Sequence, residues 1–444
     1  MAISALLTLA PWRLAAQEKK AFEHSFLPQL MTRAEYLHGY QTLAQTDAKP
    51  GFFISQRTRL TYKLSHEHFE VAIAPQDVRV WGASSHLSPD TSGSLSLAEG
   101  YGVIKFNVAN RLKAGRQIIQ YDEHRILGSL DWGMQSRRHD LLLFQHDRDT
   151  VLSFHLGAAW NQDKANPTST VYQLKNHYKT LQFLWLFRKW RSSNLSFLFL
   201  NNGFQFSKTT TPGAVENSTV FNQTLGFNSN FQLGKLRFLT WAYFQTGKNA
   251  SSKNAAGDPK KIAAFNAALD VNYKPLNAFY FNVGGEYLSG TSQDAARQDK
   301  AYAFNPFYGT NHRFNGYMDY FFVGNHVNNV GLLDAYLKIN FQRNNLGLHL
   351  NLHHFMAAED VQDLENSTPG NFVSMKAALG QELDFTLTCK IFDGVGIQAG
   401  YSHIFGTKTL QTLKGGDADA VSNWFYLMVL FRPGAAALKT GLFQ

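Results

Sequence analysis

The chain has 444 residues, 14% of them aromatic and only 17% charged, with a formal net charge of +9 and a mean hydropathy of −0.26. No run of about 18 apolar residues occurs, which excludes a membrane-spanning helix. The single cysteine, Cys389, excludes an intramolecular disulfide and a cysteine-based zinc site.

Many aromatics, modest charge and a polar average are what a transmembrane β-barrel shows, because lipid-facing and lumen-facing residues cancel. The cations are spread at strand spacing instead of forming blocks, which argues against nucleic acid and for an anionic solute or polymer.

Residues 1–16, MAISALLTLAPWRLAA, read as the apolar part and cleavage end of a secretory signal. They lack a basic n-region, and Leu14 is a poor residue three places before the cut, so the signal reads as truncated at its N-terminus. The barrel is expected over 17–444.

Strand-like alternation begins at 29–40, where Arg33 and Glu35 share a parity. In 51–64 one face carries Ser55, Arg57, Arg59, Thr61 and Lys63, and the other carries Leu60, Tyr62 and Leu64. With a period of two, three cations therefore line one face and apolar groups the other. The next run, 67–80, alternates through Phe69, Val71 and Ile73 and slips near Pro75, which predicts a bulge that moves Asp77 and Arg79 to the opposite face.

Further strands are expected at 97–107, 110–119, 138–147, 150–160, 177–188, 194–207, 218–233, 235–246, 262–274 and 277–288. The last five fall at 331–343, 346–357, 373–388, 391–405 and 423–432. Gly234 and Asn344–Asn345 read as tight turns, whereas 161–175, 207–217, 247–261, 289–312 and 357–371 read as long polar loops. The run Trp424 to Phe431, WFYLMVLF, reads as a closing strand. The expected fold is all-β: one antiparallel transmembrane β-barrel of about 18 strands, with 16 the alternative, short periplasmic turns and long extracellular loops.

The stretch Lys113–Asp140 gathers Arg116, Arg125, Arg137 and Arg138 with Asp122, Glu123, Asp131 and Asp140. Gly115-Arg116-Gln117, Tyr121, Arg125, Gly128 and Trp132, ending at Asp140, resembles the signature segment of the alginate-export family of outer-membrane channels. Arg33 with Glu35, the run Asp77 to Gly82, and Tyr308 to Tyr320 (YGTNHRFNGYMDY) agree with it, the last being similar to a loop of Bacteroidetes members.

The resemblance implies a monomeric 18-stranded barrel whose arginine-rich constriction passes an anionic polyuronate outward, with periplasmic polymer-handling proteins as partners. It assigns Arg79, Arg116 and Arg125 to the pore, while Arg57, Arg59 and Lys63 come from parity. Gln117 stands where some members carry an acidic residue, which alters the local charge balance. Arginine forks suit carboxylates, and repeated weak sites permit passage.

No catalytic constellation is evident, and no cofactor is expected. His353 and His354 point to opposite faces, and His66 with His68 sits at a predicted hairpin, so neither pair supplies the three or four ligands a metal needs. Asp417 and Asp419 in KGGDADA fit a solvated loop better than a calcium site. The expected function is a passive outer-membrane channel for anionic solutes, an anionic polysaccharide such as alginate foremost. The alternatives are a general or anion-selective porin of the same fold and, from another class, a membrane-embedded hydrolase with a converging serine and histidine.

Overall fold

The computed structural model describes residues 22–433 apart from 85–93, 166, 169–173, 175–176, 212–213 and 323. The signal-like residues 1–16 lie outside the described residues. The described residues form eighteen strands. The first nine are β1 (Glu23–His38), β2 (Gly51–Ser65), β3 (Phe69–Val80), β4 (Leu95–Lys105), β5 (Asn110–Gln117), β6 (His139–Arg148), β7 (Leu152–Trp160), β8 (Thr180–Lys189) and β9 (Ser193–Thr211). The others are β10 (Ala214–Leu233), β11 (Leu236–Lys253), β12 (Pro259–Tyr273), β13 (Phe279–Leu288), β14 (Leu332–Arg343), β15 (Leu346–Met356), β16 (Ala378–Phe392), β17 (Val395–Gly406) and β18 (Ser422–Phe431). Each pairs antiparallel with the next, and β1 pairs with both β2 and β18, so the sheet closes on itself.

Alternation decides the faces. In β16 the side chains of Glu382, Asp384, Thr386 and Thr388 are buried inside, while Phe385 between them is exposed outside. Phe199, Phe227, Phe244, Phe265, Val283, Leu352, Tyr401 and Leu427 continue that outward apolar belt around the wall. Such a belt is stable only against lipid, since contiguous apolar surface of this extent is costly in water. In β18 both faces are apolar: Phe425 and Leu427 point out, whereas Trp424, Tyr426 and Met428 are buried inside.

Short turns such as 66–68, 149–151 and Asn344–Asn345 gather at one end of the barrel. Long connections gather at the other, the arrangement of outer-membrane barrels with periplasmic turns. Two expected loops are largely strand. β9 and β10 run on to Thr211 and from Ala214, and β11 and β12 to Lys253 and from Pro259, so these hairpins stand above the rest of the rim. The loop expected at 289–312 extends to residue 331.

The slip at Pro75 is present, but it lies on the β3–β4 side, between Ala74 and Pro75. On the other side β2 and β3 keep one register from Ser55↔Val80 to Ser65↔Glu70. Asp77 and Arg79 therefore stay on the outward parity of Val71 and Ile73 and do not change face.

Two connections turn into the barrel, 118–138 between β5 and β6 and 289–331 between β13 and β14. They meet along a short parallel bridge at Leu127 and Tyr308, with Gly128 N donating to Tyr308 O and Thr310 N to His124 O. The contact is close enough to require glycine. A Cβ at Gly128 would sit 2.4 Å from Thr310 Oγ1, and one at Gly309 would sit 2.2 Å from Arg125 O.

Candidate functional site

The inner segments are held by charges of opposite sign on two different flanks of the lumen. On the basic flank, β1 and β2 present Arg33, Arg57 and Arg59 inward at alternate positions. Arg33 donates to Trp132 O at 2.9 Å and lies over the Trp132 ring. Its Nε is 2.9 Å from Glu35 but off the line a hydrogen bond needs, so that contact is an ion pair. Arg57 is wholly buried, reaching the Asp131 carboxylate at 3.1 Å and the carbonyls of Asp131, Gly133 and Met134. Arg59 donates to Gln76 and Ser136. These guanidiniums are spent on the carbonyl oxygens and acidic side chain of 131–136.

On the other flank, β13, β14 and β16 present carboxylates. Glu286 takes a two-pronged hydrogen bond from Arg125 at 2.7 and 3.0 Å and a third from Asn315, with both ion-pair partners 2% exposed. Glu382 accepts Met318 N at 2.8 Å. Asp334 accepts from Asn315 and sits 2.9 Å from His353 Nδ1. Arg137 crosses between the segments, donating to Gly309 O at 2.9 Å. Burial lowers its pKa to about 10, which leaves it charged at neutral pH.

The expected site residues thus divide into three groups. Arg33, Glu35, Arg57, Arg59, Arg125, Asp131 and Arg137 come together inside the barrel, but most are buried beneath the inner segments and do not face water. Lys63 and Arg138 are inward and partly accessible. Arg79, Arg116 and Asp140 are not lumenal: Arg79 opposes Gln56 on the outer face and pairs with Asp77, and Arg116 opposes Asp140 there at 3.2 Å.

Several lumenal groups escaped the sequence reading. Glu382 and Asp384 stand two apart on one parity, as Arg57 and Arg59 do, and that spacing was the available signal. Glu286 and Asp334 on the acidic flank were missed too, as were Lys105, Arg111 and Lys113. With Lys63 and Arg138 these last three place five cations on the inward side of β2, β4, β5 and the segment before β6, against Glu70, Glu99 and Asp147. Lys63 is near enough to Lys113 to repel it, and the Lys113 ammonium lies 3.6 Å over the Tyr101 ring. Arg111 pairs with Asp147 at 2.7 Å, and about half of its side chain is exposed.

Hydrolytic and metal chemistry find little support in the geometry. Ser153 Oγ donates to Asp147 Oδ1 at 2.6 Å, and His155 Nε2 lies 3.0 Å from the same oxygen. Serine and histidine thus share an acceptor, where a nucleophile and its base would share a proton. Lys408 Nζ occupies the space between Asp417 and Asp419, at 3.7 and 2.9 Å. Among the described residues no group of three or more His, Cys, Asp or Glu is arranged to hold a metal.

No family model and no curated protein matches the sequence. Solved structures do match the fold. The barrel is similar to OccK5 (OpdH) of Pseudomonas aeruginosa at 12% identity, covering 92% of this chain and 98% of that one, with a TM-score of 0.54. It is similar to OccAB1 of Acinetobacter baumannii at 12% identity, covering 92% and 96%, with a TM-score of 0.59. OpdL of P. aeruginosa matches at 12% identity over 92% and 98%, with a TM-score of 0.57. At such identities the likeness is one of fold, that of outer-membrane porins. The closed barrel and its outward apolar belt place the chain in the outer membrane. These matches bear on the kind of barrel and do not carry the alginate-export resemblance.

Proposed function

We propose that the protein is a passive outer-membrane channel for anionic solutes. The observation that carries this reading is the inward cation stripe of Lys63, Lys105, Arg111, Lys113 and Arg138 beside three carboxylates. A lumen wall with surplus positive charge lowers the cost of an anion leaving bulk water, and the interspersed Glu70, Glu99 and Asp147 keep each contact weak. The arginines buried under the inner segments act differently: they fix the shape of the passage and do not touch the solute.

Within that reading, a uronate oligosaccharide or an alginate-like polymer is the finer substrate class. It is supported by the family-like motifs at 115–140 and 308–320, which pack on each other in the lumen. Planar bilayers under a salt gradient test both levels. Anion-selective current is expected, with selectivity at least halved in Lys63→Gln/Arg111→Gln/Lys113→Gln, and oligouronate should block the wild type. Cation-selective current would overturn the channel reading. Anion current indifferent to uronate would leave a general anion porin and remove the polysaccharide.

A further inference from the structure

The barrel wall is interrupted on one side near its long-loop rim. β4 pairs with β3 up to Leu95, but its ladder to β5 stops at Gly100↔Arg116. Beyond that point β5 ends at Gln117 and its chain turns inward, so no ladder partner covers the far edge of residues 95–99 among the described residues. Loop side chains fill the place of a strand there.

A cavity of about 470 Å³ lies at this interruption. Its lining mixes the two faces of the wall. Leu97 and Arg116 have outward parity, being opposite Pro75 and Gly100, whereas Gln76 and His139 are lumenal. Residues of both faces thus meet at one cavity where β5 ends. Trp160, outward at the end of β7 and 59% exposed, marks this level as the headgroup region of the outer leaflet.

The chemistry of the lining is that of a receptor for an anion with an apolar body. Leu97, Tyr178 and Phe307 supply apolar and aromatic surface. Arg138 donates to Gln76 and Gln135, yet its buried Nε has no partner. His139 is 3% exposed, and its Nδ1 is engaged by the Tyr178 hydroxyl while Nε2 has no partner. Arg116, its side chain 44% exposed, joins Arg138 on the lining and brings a second cation to it.

We propose that this gap opens as a window through the wall and binds a carboxylate-headed amphiphile entering from the outer leaflet, its head at Arg116 and Arg138 and its tail past Leu97. The site adds a lateral route to the axial channel and shares only Arg138 with the cation stripe lower in the lumen.

The full chain in phosphatidylcholine nanodiscs should bind labelled decanoate saturably. Arg138→Gln should weaken binding about tenfold or more, as expected for loss of one charge-assisted hydrogen bond. Leu97→Trp, which fills the outer side, should abolish it while leaving the anion selectivity of the current intact. Ser96→Trp, filling from within, should do the same and serves if the first variant fails to assemble. Displacement of decanoate by equimolar acetate, or unchanged binding in both filling variants, would overturn the window. Loss of decanoate binding in phosphatidylglycerol nanodiscs would assign the site to a lipid headgroup and overturn the solute reading. Failure of the channel reading alone would appear as lost anion selectivity with decanoate binding retained.

Discussion

At the scale of single residues, inward charges divide by burial, and burial decides their role. Arg125 and Glu286 are each 2% exposed and bind through two hydrogen bonds. Replacing one partner strands a buried charge, at a cost of about 3–5 kcal/mol, whereas replacing both by apolar groups is often nearly neutral. Arg125→Ala should therefore release the inner segments, read as trypsin cleavage after Arg137 or Arg313 within an intact barrel. Arg125→Met/Glu286→Leu should restore protection.

Lys414, on the short helix α1 (Lys408–Lys414) in the β17–β18 connection, donates to Asn325 O in the second inner segment, and burial lowers its pKa to about 7. Its ordinary value is higher, so the undocked loop holds a proton that the docked loop has lost. Docking should accordingly strengthen as pH rises from about 7 to about 10. Hydrogen exchange over 408–414 should slow across that range in the wild type, beyond the shift common to all amides, and Lys414→Met should remove this difference. None of this was visible beforehand, because parity assigns a side chain to a face without saying whether water or protein meets it there.

At the scale of elements, alternation served well where a strand has lipid on one side. The eighteen runs fall close to their expected places for that reason, and the terminal run closes on β1 as expected. It served poorly at the rim, where neither face meets lipid. There β9 to β12 extend through sequence that reads as polar loop, and Arg79 keeps the outward parity that a supposed flip would have changed. The two inner segments have no period at all, so their meeting was illegible, although both contain the family-like motifs. Their joint depends on backbone contact at Gly128 and Gly309. Gly309→Ala should drive a methyl into Arg125 O, part the segments and enlarge single-channel conductance, while the outer barrel keeps its heat-resistant mobility on gels.

At the scale of the whole molecule, stability is expected to rest on the belt and the closed ladder more than on the lumen. Phe385 lies midway along β16 and faces out. Phe385→Arg should cost about 2–4 kcal/mol, the range for a cation on the lipid face near the midplane. Urea unfolding of the liposome-embedded protein measures it, and Thr388→Asn on the inward face of the same strand should change far less. Fold class and membrane location were legible because they follow from composition and a period of two. The passage itself was not, because its shape is set by contacts between residues as far apart in sequence as Arg125 and Glu286.

That separation of 161 positions also orders events in time. The first inner segment is tethered as soon as β5 and β6 pair, but its partner residues arrive only with β13 and the connection beyond it. Ring closure between β1 and β18 requires the last strand of all. Long contacts of this kind form late, since the chain between them must be ordered first. Both inner segments and the Glu286 partner are therefore present in the chain before β18 arrives to close the ring. The passage can be narrowed while the wall is still open, so the barrel need never exist as a wide, unselective hole in the membrane.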